Sequence, residues 1–245
     1  MKIAFINYCP KIQINGNQST VKHNLNNFLK HFKDSLIANS NEIFEINLND
    51  MTINSCLGCT EDILFEPKPN CTQDDDMNSI YPVLRESDLW IFAIKQNHID
   101  IPEKVHNFLD RLEPLFNDVI DLQTLEVLDL NKPVNSNKKV FLMAFSEHWG
   151  KEVFRDLSYH IQSTAFLFNR EFFGEFLRPH FTAFIEKYEN DFNFTQEINS
   201  QFSKLALDLT YGQAIQNGYL NNLSREIISK DEFERNLKIA LQKVK

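Results

Sequence analysis

Residues 71–112 read CTQDDDMNSIYPVLRESDLWIFAIKQNHIDIPEKVHNFLDRL, and their patterns run helix, strand, loop, helix. The middle piece, Leu89-Trp90-Ile91-Phe92-Ala93-Ile94, is an unbroken apolar run of strand length, which suits a strand covered on both faces in a parallel sheet. The chain then turns polar at Lys95-Gln96-Asn97-His98. Pro102 suits the first turn of the next helix, where its fixed φ fits and its missing N–H is not needed. Val105, Phe108, Leu109, Leu112, Leu115 and Phe116 recur at helical spacing, so one face of that helix lies on the sheet. In such a βα unit ligands bind at the polar loop outside the strand's carboxyl end. The site is expected there.

Working outward, Ile3-Ala4-Phe5-Ile6 reads as a first buried strand. Ser19 or Thr20 then caps a helix reaching Ala38, with Val21, Leu25, Phe28, Leu29, Phe32 and Leu36 on one stripe. The loop between them, residues 9–20, ends at a helix N-terminus, where free N–H groups and the helix dipole favour an anion. Glu42 to Leu48 alternates as a strand near an edge. Residues 51–74 form a long loop bearing Cys56, Cys59 and Cys71, and a helix follows over 76–87, with Pro82 expected to kink or shorten it. Residues 117–137 read as an insertion. Lys139 to Phe145 is a fourth strand with Ser146-Glu147-His148-Trp149-Gly150 as its exit loop, a helix follows from Val153 to Phe168, and a fifth strand spans 171–181. Beyond it Ile198, Phe202, Leu205 and Leu209 form a helical stripe expected to end before Gly218, and Ser229-x-x-Glu232 is a capping box for a last helix. The division this suggests is a sheet domain over 1–185 and a helical extension over 186–245 packed on it.

A length of 245 residues suits one large α/β domain with appendages. Lys+Arg 25 against Asp+Glu 34 gives a net charge of −9, which argues against non-specific nucleic-acid binding. No apolar run approaches a signal peptide or membrane span, so a cytoplasmic protein is expected. Cys9, Cys56, Cys59 and Cys71 are few, and one C-x-x-C inside a cell points to thiol, metal or redox chemistry more than to structural disulfides.

Cys56-Leu57-Gly58-Cys59, Cys71 followed by Asp75-Asp76-Met77, the buried strand, and Phe108-x-Asp110-Arg111 together resemble the NAD(P)H-dependent FMN reductases and iron–sulfur flavoproteins, a branch of the flavodoxin-like fold. The resemblance implies an α/β, doubly wound, parallel five-stranded sheet in the order 2-1-3-4-5 with a C-terminal helical extension. It implies an oxidoreductase that uses FMN to pass reducing equivalents from NAD(P)H to a small acceptor such as a quinone or flavin, and a homo-oligomer. It implies no iron–sulfur cluster, because Asp62 stands where cluster-binding members place a thiolate; a zinc site from three cysteines with an Asp or His is the other metal reading, but reduced thiols packed under the loop are the plainer one, so no metal is expected.

That strand order sets the exits of strands 1, 3 and 4 side by side. The implied cofactor-binding residues are therefore Cys9, Lys11, Asn17, Gln18, Ser19 and Thr20 in the first loop, where the family wraps the FMN phosphate. Gln96, Asn97 and His98 follow strand 3, and Ser146, His148 and Trp149 follow strand 4. The same residues read more plainly as an Asn-Gly turn with a helix cap, hydrogen-bonded loop histidines and a half-buried indole. The loops after strands 3 and 4 replace the family's usual flavin-facing residues, which leaves open a second reading: a scaffold that has lost the flavin and serves as a binding or assembly module.

Overall fold

The computed structural model describes residues 1–10, 13–14, 17–18, 20–59, 71–97, 100–118, 135–213, 215 and 217–243. Five strands form one parallel sheet: β1 (Lys2–Tyr8), β2 (Glu42–Asn47), β3 (Leu89–Gln96), β4 (Asn135–Ser146) and β5 (Arg170–Arg178), in the order β2-β1-β3-β4-β5. This is the doubly wound, flavodoxin-like order expected. Every residue of β3 is buried, because it lies at the centre of the sheet with helices on both faces.

Successive β3 side chains alternate between the two faces. Trp90, Phe92 and Ile94 meet α2 (Met77–Glu86), α3 (Glu103–Asp110) and α4 (Arg155–Leu167). Leu89, Ile91 and Ala93 meet α1 (Thr20–Ala38), α5 (Phe181–Asn190) and α6 (Phe192–Tyr211). Phe28 of α1 is the hub of this second face, with ring contacts to Phe145, Phe181, Phe184, Tyr188 and Phe202. Deleting such a ring costs about 3–5 kcal/mol. The helices past β5 are thus part of the core, and residue 185 falls inside α5.

Some expectations shift. Pro82 neither ends nor confines α2, which runs on to Glu86 because Ile80, Tyr81 and Leu84 stay buried on one side. Helix α6 ends at Gly212, not near Gly218: Gly212 takes the left-handed φ of 65° that closes a helix, while Gly218 lies within α7 (Asn217–Leu223). Helix α8 (Lys230–Lys243) starts where expected, with the Glu232 N–H donating to Ser229 Oγ at 3.2 Å. Most of the anticipated insertion at 117–137 lies outside the described residues.

Candidate active site

The sheet register brings three strand exits together. Tyr8 pairs with Ile94 and Gln96 with Ser146, so β1, β3 and β4 finish nearly level. A cleft of about 260 Å³ opens between the first two exits, lined by Tyr8, Pro10, Asn97, Asp100, Ile101 and Pro102. That is slightly below the roughly 300–1,000 Å³ of small-molecule pockets, so it suits a ring system more than a whole nucleotide. Burial, with Cys9 and Glu103 nearby, raises the Tyr8 phenol above its ordinary range and keeps its hydroxyl a donor. A wider depression of about 540 Å³ lies at the opposite, amino end of the sheet. Its rim carries Glu42, Glu86 and Asp88 against Lys2, a poor lining for an anion.

On the α1 side of the sheet, Lys95 is wholly buried, with its ammonium 4.9 Å from the centre of the Phe181 ring. It forms an ion pair with Glu147 of the β4 exit loop. The other Glu147 oxygen accepts from the Thr182 N–H at 2.9 Å, in the first turn of α5, where free N–H groups favour a carboxylate. One carboxylate therefore joins two strand exits and a helix start.

On the other face Arg111 makes a bidentate pair with Asp75, at 2.8 and 2.9 Å, and donates to the Asn54 carbonyl at 3.0 Å. Both side chains are 1% exposed. Burial works to raise the Asp75 carboxyl, but Arg111 and the Asn54 and Met77 N–H groups outweigh it and hold the carboxyl below its usual range. This clamp fastens the two ends of the cysteine loop to α3, aided by Lys104, whose ammonium donates to the carbonyls of Leu48, Asn49 and Met51. Arg111, the last residue of the sequence motif, thus anchors the loop base through Asp75, while Asp110 beside it is exposed. All four cysteines are free thiols, and among the described residues no cluster of three or more His, Cys, Asp or Glu side chains is placed to hold a metal.

The expected cofactor residues separate. Asn97 is exposed on the cleft wall. Gln96 is buried beneath it, reaching the Asp100 carbonyl at 3.4 Å. Cys9 is buried in the α1-side core. Asn17 and Gln18 pair antiparallel with Gln13 and Ile14, and Thr20 is the first residue of α1. Ser146 is buried and accepts from the His148 N–H at 3.2 Å, while the His148 side chain is exposed. Trp149 turns to the C-terminal segment, stacking on His180 at 4.9 Å and meeting Phe233 at 5.6 Å. Lys11, Ser19 and His98 lie outside the described residues. Sequence reasoning missed Tyr8, Asp100 and Lys95. Tyr8 borders the first exit loop, while Lys95 and Asp100 lie inside the polar exit of strand 3, where the site was expected, without being singled out.

No family model and no curated protein matches the sequence. Solved structures do. An azoreductase from Bacillus anthracis str. Sterne aligns at 13% identity, covering 84% of this chain and 98% of its own, with a TM-score of 0.54. A flavone reductase aligns at 14% identity, covering 94% of this chain and 72% of its own, with a TM-score of 0.55. An FMN-dependent NADH-azoreductase from Bacillus anthracis str. Ames Ancestor, in complex with FMN, aligns at 14% identity over 85% of this chain and 99% of its own, with a TM-score of 0.51. At these identities the likeness is one of fold, and with the strand order it places the chain in the flavodoxin-like fold.

Proposed function

We propose that the chain is an FMN-dependent oxidoreductase that passes reducing equivalents from NAD(P)H to a small acceptor such as a quinone or a flavin. The observation that carries this reading is the position of the cleft: outside the carboxyl ends of β1 and β3, beside the loop that leads into α1. The fold neighbours support it, since one is named an FMN-dependent NADH-azoreductase and was solved with FMN.

The residues present fit such a group. Tyr8 and Asn97 offer hydrogen bonds at the ring's edge, Pro10, Ile101 and Pro102 give apolar walls, and the N-terminus of α1 at Thr20 would hold the phosphate, with Asn17, Gln18 and Ser19 from the same loop. When bound, FMN supplies the hydride chemistry. The chain binds and orients the ring, and the Tyr8 hydroxyl, kept protonated, can donate to a developing negative charge. The net charge of −9, and the lack among the described residues of any helix long and apolar enough to cross a membrane, support a cytoplasmic protein; homo-oligomerisation belongs to the same proposal.

The test is direct. Titration with FMN should give stoichiometric, saturable binding with quenched flavin fluorescence, and the loaded protein should oxidise NAD(P)H in the presence of a quinone. Absence of flavin binding at saturating FMN would favour the scaffold reading.

A further inference from the structure

We propose that His106 of α3 and His160 of α4 form a two-histidine site for a divalent transition-metal ion of the zinc, nickel or copper type, at the surface of the protein and independent of the flavin reading. Two observations carry it. The imidazole rings come from different helices and lie against each other, with centres 5.5 Å apart and planes 75° apart. Among the described residues, moreover, neither ring makes a hydrogen bond or an ion pair, so the nitrogens of both are available to a ligand. His106 is half-buried and His160 exposed, which leaves the pair open to solvent on one side.

The separation fits the chemistry. A ligating nitrogen sits about 2.0–2.1 Å from zinc with its ring centre about 1.1 Å behind it, so at a tetrahedral angle two coordinated imidazoles have centres about 5.2 Å apart. The pair already stands near that distance. The backbone beneath it is held in place, because Val105 and Phe108 beside His106, and Leu157 and Ile161 beside His160, are buried in one core. Binding therefore asks for rotation of two side chains and not for movement of the helices. Neutral imidazole suits zinc, nickel and copper, whereas magnesium and calcium take oxygen ligands. Among the described residues no third His, Cys, Asp or Glu joins the pair, so water completes the coordination and the site is an open one. His106 stands one turn past Pro102, which lines the cleft, so an ion held here would brace that wall of the cleft against α4. Two rings that merely touch would bind metal no better than one surface histidine.

The experiment takes the full chain, stripped of metal by a chelator and carrying no added histidine tag, and titrates it calorimetrically with nickel chloride and, separately, magnesium chloride. Nickel is expected to bind one ion per chain and to raise the thermal transition, and magnesium to do neither. His106→Gln and His160→Gln should each abolish saturable nickel binding over the range in which the wild type saturates, since a site of two ligands loses its grip with either one. Cysteine thiolates are the competing ligands, so a Cys56→Ser, Cys59→Ser, Cys71→Ser variant is titrated beside them and should bind nickel and zinc as a single ion per chain. His160 is exposed, so His160→Gln carries the test even if His106→Gln does not fold. Nickel binding that is unchanged in His160→Gln, that disappears with the three cysteines, or that saturates only at millimolar metal would overturn the assignment and leave two histidines in simple ring contact.

Discussion

Two buried cations hold the chain together on opposite faces of the same sheet, and they are built differently. Arg111 is bidentate to a carboxylate as buried as itself. Asp75 also accepts from the Asn54 N–H at 3.0 Å and the Met77 N–H at 3.1 Å, and the Tyr81 hydroxyl donates to the Arg111 carbonyl at 2.7 Å. Lys95 is equally buried but meets a carboxylate that is 42% exposed. The first pair spends its charge on neighbouring main chain and ties down a loop. The second keeps one partner in water and joins two strand exits to the start of α5. In the first, removing either partner strands a charge in a dry interior; in the second, removing the lysine leaves a carboxylate that is partly in water.

The largest effect should come from breaking the closed pair. Arg111→Met leaves Asp75 charged, buried and without its counter-ion, a change that costs about 3–5 kcal/mol. Urea denaturation should show the loss, and a shift of less than about 1 kcal/mol would mean that the pair is hydrated after all and that the contrast fails.

Acid should then separate the two regions by pH. His180, which stacks on Trp149 beside Glu147, is lowered to about 4 by burial and by Arg178, against the pull of Glu147. Its neutral form is the one the fold accepts, so its contribution is complete above the unfolded pKa near 6.5 and is lost as pH falls towards about 4. Asp75 is also depressed, but as an acid, so its contribution is complete above its unfolded value near 3.9 and is lost only as pH falls below that. Stability against pH should therefore fall in two stages, the upper no steeper than about 1.4 kcal/mol per pH unit for one proton. His180→Gln should flatten the upper stage and spare the lower.

A smaller change is expected from opening the second pair. Lys95→Met removes a buried charge and leaves Glu147 half in water with the Thr182 N–H still bound, so stability should move by no more than about 1 kcal/mol. A loss as large as that of Arg111→Met would make the two pairs equivalent and erase the distinction.

How far the sequence discloses all this follows from the range of each interaction. The central strand is legible because six consecutive apolar residues state its burial locally. Its last two residues are not: Lys95 and Gln96 read as loop because they are polar, yet both are buried, the lysine stem lying along apolar surface. The partners Asp75 and Arg111 appear as separate fragments of a motif 36 residues apart, and only the folded chain makes them a pair. Gly212 and Gly218 are equally plausible helix ends in sequence; the positive φ at Gly212 decides. Trp149 lies in a strand-exit loop of the kind that faces ligands, and nothing local to it announces Phe233, eighty-four residues later.

That indole supplies the last prediction. It links the β4 exit loop to α8, meeting both His180 and Phe233, while most described side chains of α8 point to solvent. The described side chains of α8 bury little surface, so among them an aromatic contact counts, each worth about 0.5–1.5 kcal/mol beyond the area it covers. Trp149→Ala should therefore free α8, seen as faster proteolysis within residues 230–243, while the thermal transition of the sheet core moves little. FMN affinity should stay within about tenfold, or 1.4 kcal/mol, because the cleft at Tyr8 and Asn97 is lined without the indole. A much larger loss of FMN with α8 still protected would put Trp149 against the ring, and the β4 exit would then belong to the ligand and not to the C-terminal helix.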